Sequence, residues 1–251
     1  MKTTSFFKTT LFPLVPVLAI SGALLQAQEP CTFTEPAATF TVRHQKGEPA
    51  LSLDPQAKVW RRASSQTMDK DCHKQITYDA LRTEVRAFWT DRYVYFLFRC
   101  PYSELNIFLP ANNAVPRNKL WDRDVVELFI GADWKNIKQY REFEVAPTGD
   151  WIDLAIDLNH KSYDQSWRSG WQTLAKIDHT QKIWWAAARI PLSAITAEPV
   201  EPGTRWRMDL YRIAGRGADS NRHVMCWQPL CTPEHPSNHT PEHFGTLLFA
   251  K

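Results

Sequence analysis

The sequence has no dense run of lysine or arginine, which excludes the basic footprint by which nucleic-acid-binding domains hold phosphates. It has no cysteine pair at metal-type spacing, and Cys226-Trp-Gln-Pro-Leu-Cys231 is not a zinc knuckle. Beyond the first thirty residues there is no apolar run long enough to cross a bilayer. Internal repeats, low-complexity tracts and linker-like segments are missing too, so no second domain is called for. Charge of one sign is also lacking. The formal net charge is +3, and removing the two lysines of the first 27 residues from a total of 30 basic side chains leaves 28 against 27 acids.

What is present begins with a leader. Lys2 and Lys8 precede the apolar stretch Leu11–Leu25, broken by Pro13 and Pro16 and ending in Leu25-Gln-Ala27. This pattern predicts a signal peptide over residues 1–27, too short and too proline-broken for a span, and a single exported domain over 28–251, secreted or periplasmic. Five cysteines (31, 72, 100, 226 and 231) are an odd number for an oxidising compartment, so at least one stays free or pairs between chains. A disulfide closing the short loop from Cys226 to Cys231 is one arrangement that spacing allows.

Strand signals dominate the domain. Thr83–Trp89 and Tyr93–Arg99 flank an Asp91-Arg92 turn; Val125–Ile130, Tyr140–Val145 and Trp151–Leu158 follow, the last two joined through Pro147-Thr-Gly149. Trp171–Ile177 pairs by pattern with Ile183–Ile190, then come a helical turn at Pro191–Ile195 and the strands Arg205–Ile213 and Gly245–Phe249. Modest strands at short spacing with little helix predict an all-β fold, an antiparallel β-sandwich with jelly-roll or immunoglobulin-like layers. Eleven tryptophans are many for such a chain. Most must be core, although Trp184 and Trp185 cannot both face inward.

The chemistry gathers in three blocks. In Trp121-Asp-Arg-Asp124-Val-Val-Glu127 a ring and acids lead into an apolar strand, with Val125, Glu127 and Phe129 on one face. A carboxylate there must meet a donor, a cation or a polar ligand. In the second block Tyr140, Glu142 and Glu144 share one strand face and alternate with Arg141, Phe143 and Val145. The third comprises Trp206–Arg212, with Tyr211 and Arg212 at its end, then Trp227-Gln-Pro229, then His239-Thr-Pro-Glu-His-Phe-Gly245.

This succession, from about Glu48 to the C-terminus, resembles family 9 carbohydrate-binding modules and exported proteins like them, on the strength of Trp-x-x-Asp-x-Val-Glu and the Pro241-x-x-Phe-Gly245 ending. The resemblance implies a sandwich related to DOMON-like domains, structural calcium, and binding of reducing ends or small sugars between two tryptophans. Trp121 then matches the first stacking ring, Glu127 the acid that accepts sugar hydroxyls, and Asp124 an acid of the same block. Glu144 stands where xylanase-linked modules have a sugar-contacting arginine, and Asn238 or His239 where the second tryptophan would be.

The physics of sugar binding accords with this set. An indole covers the CH face of a pyranose while carboxylates take hydroxyl hydrogens. Arg141 and Arg212 are candidate complementary donors, and Arg212 reads equally as an internal partner of Glu127. The expected ligand set is therefore Trp121, Asp124, Glu127, Arg141, Glu142, Glu144, Tyr211, Arg212, Asn238 and His239, with a mono- or oligosaccharide or a polysaccharide end as partner and no catalysis. Two alternatives remain. One is a glycoside-acting enzyme using Glu142 and Glu144, about 6.6 Å apart by strand rise. The other is a haem carrier, which would draw axial ligands from Met68, Met208, Met225, His223 and His239. Asp54, Asp150 and Asp153 are the candidate calcium ligands.

Overall fold

The structure, a computed structural model, describes Met1 and residues 38–74, 76–217, 221–228 and 237–251. The expected leader, Met1 apart, lies outside the described residues, as do Cys31 and Cys231. Fifteen strands follow in order: β1 Thr39–His44, β2 Ser64–Met68, β3 Lys70–Asp71, β4 Ile76–Thr77, β5 Thr83–Trp89, β6 Tyr93–Pro101, β7 Val125–Gly131, β8 Gln139–Val145, β9 Trp151–Asp157, β10 Ser162–Asp164, β11 Gln172–Asp178, β12 Ile183–Pro191, β13 Arg205–Ala214, β14 His223–Cys226 and β15 Gly245–Ala250. Among the described residues helix is confined to one turn, α1 Lys58–Arg61, and short 3-10 turns.

The strands connect in the order β10-β9-β8-β7-β13-β15-β1-β5-β6-β12-β11, with β14 beside β13 and β2 beside β5. The sheet curls over at β1, making the two layers of the sandwich. Pairing is antiparallel throughout except around β1, which runs parallel to both β15 and β5. That strand stitches the layers together and departs from the purely antiparallel expectation.

Alternation decides what lies between the layers. Val126, Leu128 and Ile130 of β7, Phe143 and Val145 of β8, and Met208 and Leu210 of β13 meet Val85 and Ala87 of β5, Phe96 and Phe98 of β6, and Ala186 and Ala188 of β12. Each fully buried large side chain of this kind is worth about 1.5–3 kcal/mol relative to exposure. Trp184 joins this core, while its neighbour Trp185 packs on the outside with Trp60, Phe88 and Tyr95. A second apolar cluster covers the other side of β7–β9 and β13 with Val125, Phe129, Tyr140, Leu154, Tyr211 and Phe244.

Cys226 does not close a short loop with Cys231. It pairs with Cys72, the two Cα atoms 5.9 Å apart, and so ties the end of β3 to β14. Their neighbouring backbones already pair through Met225 and Asp71, so the bridge fastens strands that the sheet has brought together. Cys100 is a buried free thiol that burial pushes up to about 12, which leaves it unreactive.

Candidate functional site

The outer face of β7, β8, β9 and β13 forms the floor of a hollow of about 620 Å³. Pairing places Tyr211, Glu127, Glu144 and Ile152 in one row across four strands, and Phe129, Glu142 and Leu154 in the next. Trp121 and Asp122 form one wall, Tyr163 of β10 another, and Ser237, Asn238 and His239 a third.

The Trp121 wall follows from its block. Leu120 is buried beneath a 3-10 turn, Leu120–Asp122, which leaves Trp121 half-buried at the rim. Asp124 is itself buried, and its two carboxylate oxygens accept the backbone N–H groups of Gly215 (3.0 Å) and Asn106 (3.3 Å). Burial pushes this carboxyl up to about 6, against the pull of those two amides. Asp124 is thus occupied in joining two loops behind Trp121 and does not line the hollow. Arg222 donates to the carbonyls of Trp121 and Arg123 and holds the same turn from the other side.

The Asn238–His239 wall follows from the chain's ending. Phe244 is sunk among Phe129 and Tyr140. Arg207 donates to the carbonyls of Pro241, Glu242 and Phe244, fixing the 3-10 turn Pro241–His243. Gly245 is required because a β-carbon there would stand 2.6 Å from the Trp227 ring and 2.9 Å from the Ala38 carbonyl. Tyr211, buried below, donates its hydroxyl to the Asn238 carbonyl at 3.2 Å, supporting the wall without reaching the hollow.

His239 lies flat against Phe129, ring centroids 5.1 Å apart, with Tyr163 edge-on to it at 5.0 Å. Its Nδ1 is 2.6 Å from the Tyr140 hydroxyl. Burial lowers the imidazole to about 4, and burial also raises the Tyr140 hydroxyl above its ordinary value. A neutral ring therefore accepts from tyrosine at Nδ1 and carries its proton on Nε2, 3.9 Å from Glu142.

The three glutamates are the unusual feature. Glu127, Glu142 and Glu144 are only 2 %, 4 % and 0 % exposed. Asn238 donates to Glu127 at 3.3 Å, while neither oxygen of Glu144 has a donor. Burial raises all three carboxyls, and mutual repulsion adds to the rise at Glu127 and Glu144. Glu127 reaches about 8 and Glu142 about 7, and Glu144 stands well above the ordinary carboxylate range. At neutral pH the cluster holds protons, and an acid–carboxylate hydrogen bond between Glu142 and Glu144 is the natural place for one. Asp209, which sequence reasoning did not single out, is a fourth buried acid on this side of the sheet. Burial pushes it up to about 8, and the Leu210 and Gln228 amides donate to it.

Both candidate arginines lie on the opposite side. Arg212 does not meet Glu127; it sits in the inter-layer core, donating to Leu81 and Pro101 carbonyls and the Thr83 hydroxyl. Arg141 alternates with Glu142 and stacks over Trp167 at 4.9 Å. The period of two puts both even-numbered β13 and odd-numbered β8 positions beneath the floor.

The proposed calcium ligands do not fit a metal. Asp150 accepts from Asn112 N–H, Arg117 and Thr148, and Asp153 from Arg168 and Ser169, so an arginine stands against each carboxylate. Asp54 is in an exposed turn where it accepts from Gln56. Among the described residues no group of three or more His, Cys, Asp or Glu side chains is gathered for a metal. The haem candidates are also dispersed: Met68, Met208 and Met225 are in the inter-layer core, and His223 is bonded to Asp71 at 2.8 Å.

Residues 55–251 match the family described as carbohydrate family 9 binding domain-like, and the chain belongs to that family. Similar solved structures include a protein of Bacteroides uniformis provisionally described as carbohydrate-binding (TM-score 0.68, 17% identity, 84% of this chain and 98% of that one). A family 9 carbohydrate-binding module of Caldicellulosiruptor kristjanssonii is similar both in complex with cellotriose (TM-score 0.60, 14% identity, covering 85% and 94%) and in complex with glucose (0.59, 15%, 84% and 95%). At these identities the likeness establishes the fold. No curated protein matches the sequence.

Proposed function

We propose that the protein is an exported, non-catalytic carbohydrate-binding protein that takes a mono- or oligosaccharide in the hollow beside Trp121. The carrying observation is that Trp121, Glu127 and Glu142 line one open cavity. A pyranose laid against the indole turns its hydroxyl rim towards the acids and towards Asn238, and hydroxyl-to-carboxylate bonds are the stronger, charge-assisted kind. Membership of the family and the sugar complexes of a similar module support this reading. Export rests on the leader pattern of residues 1–27, and the Cys72–Cys226 bridge accords with an oxidising compartment.

A glycosidase reading is less well supported. Hydrolysis needs two carboxyl groups flanking the scissile bond. Here Glu127, Glu142 and Glu144 all rise from one floor, side by side, and Asp122 on the Trp121 wall is the acid outside that row.

Calorimetric titration with glucose and cello-oligosaccharides tests the proposal. Saturable binding is expected, weakened at least tenfold in Trp121→Ala, with no release of reducing sugar from the oligosaccharides. No binding heat, or equal affinity in the variant, contradicts it.

A further inference from the structure

The acids of the hollow are gathered on its floor, while the neutral groups of Tyr163, Gln165 and Ser237 stand around it, and that arrangement bears on the ligand. Glu127 and Glu142 face the cavity, and Glu144 lies beside both on the same side of the sheet, wholly buried, with Glu142 as its partner in the floor. The Asn238 amide is spent on Glu127, and its own Oδ1 is buried without a donor. Arg222, on the wall, donates to the Trp121 and Arg123 carbonyls, and its charge acts on Glu127 from there. His239 is a neutral ring, and Arg141 and Arg212 are beneath the floor.

A neutral sugar would meet the floor with its acids packed together and sharing protons, whereas a bound cation lets the acids release those protons and pair with it. An ammonium group brings three donors and a positive charge at once. The aromatic rings of Trp121 and Phe129, which also line the hollow, favour a cation through their quadrupoles.

We propose that the ligand is a sugar carrying a free ammonium group, an amino sugar of the 2-amino-2-deoxyhexose class, with its nitrogen placed over Glu127 and Glu142 and its ring against Trp121. This rests on the reading of the hollow as a saccharide site and narrows it. The ammonium brings a positive charge against the acids of the floor, so the preference comes from the acids, while the indole supplies the affinity common to all pyranoses.

The test is calorimetry on the full chain at pH 6.5 and low salt, with glucosamine, N-acetylglucosamine, glucose and propylamine as probes. Glucosamine should bind at least tenfold more tightly than glucose. Acetylation of the nitrogen should cancel that advantage, and propylamine should bind weakly for want of a ring. In Glu142→Gln, whose fold is checked by near-ultraviolet circular dichroism, the glucosamine-to-glucose ratio should narrow. If the wild-type protein binds glucose as tightly as glucosamine, the amino-sugar proposal is overturned while the saccharide site stands. If propylamine matches glucosamine, the site is one for amines rather than sugars. If no probe binds, both readings fall.

Discussion

On the inner face of β8 and β13, Arg141 and Arg212 lie against the Trp167 and Trp184 rings, and Arg212 donates to Leu81, Thr83 and Pro101. On the outer face, one residue away along the same strands, Glu127, Glu142 and Glu144 are buried, and among the described residues Asn238 is the side chain that donates to them. Arg141 and Glu142 are neighbours in sequence, yet the sheet lies between their charged ends. The cations are structural because their bonds are made within the fold. The acids retain unused capacity, and a ligand is the natural thing to fill it. Burying polar groups without partners costs stability, so a floor of this kind points to binding rather than to packing.

The largest effect is expected on the inner face. Arg212→Met keeps the bulk but removes the donors to Leu81, Thr83 and Pro101. Hydrogen bonds from a charged group are worth about 1.5–3 kcal/mol each, and urea unfolding should report a loss of about 3 kcal/mol or more. A loss under about 1 kcal/mol would mean that the inner cation is not structural.

The outer face should respond in the opposite sense and more modestly. With Glu142 raised to about 7 and Glu127 to about 8 from an ordinary 4.5, the folded protein keeps protons that the unfolded chain has already released. Stability contributed by these protons is present at low pH and is lost as pH rises towards 8. His239, lowered from 6.5 to about 4, acts in the other direction only below pH 6.5, which leaves pH 6.5–8 as the clean window. Glu144→Gln removes one acid of the cluster. Its urea midpoint should fall less between pH 6.5 and 8 than that of the wild type, and at pH 8 it should be the more stable by on the order of 1–2 kcal/mol, the scale of an unmet buried polar group. An identical pH slope in the two proteins would show that the outer acids do not share protons.

The long strands were legible because period-two patterning is strong where both layers press on them. Val125–Ile130, Tyr140–Val145 and Ile183–Ile190 lie within the observed β7, β8 and β12. β2 and β10 were missed because their sequences are polar, and β3 and β4 because two residues carry no period. β1, with Phe40 and Val42 inward, did carry a readable alternation, but its parallel partners are remote in sequence. In the site, alternation correctly grouped Tyr140, Glu142 and Glu144 with one another. The same rule, applied across to β13, would have required the register of Tyr211 with Glu127 to show that Arg212 faces away. Asp124 could not be separated from Glu127 by residue type, since its role depends on Gly215 and Asn106, loops apart in the chain. Cys72 was likewise invisible as the partner of Cys226, because 154 residues separate them.

A crystal structure of the protein soaked with glucosamine or glucose locates the ligand directly. The account predicts a pyranose in the hollow, one face against the Trp121 indole and polar groups within hydrogen-bond distance of Glu127 or Glu142. Sugar density confined to the other hollow of about 620 Å³, beside Trp151 and Trp171, with the glutamate floor empty, would contradict it.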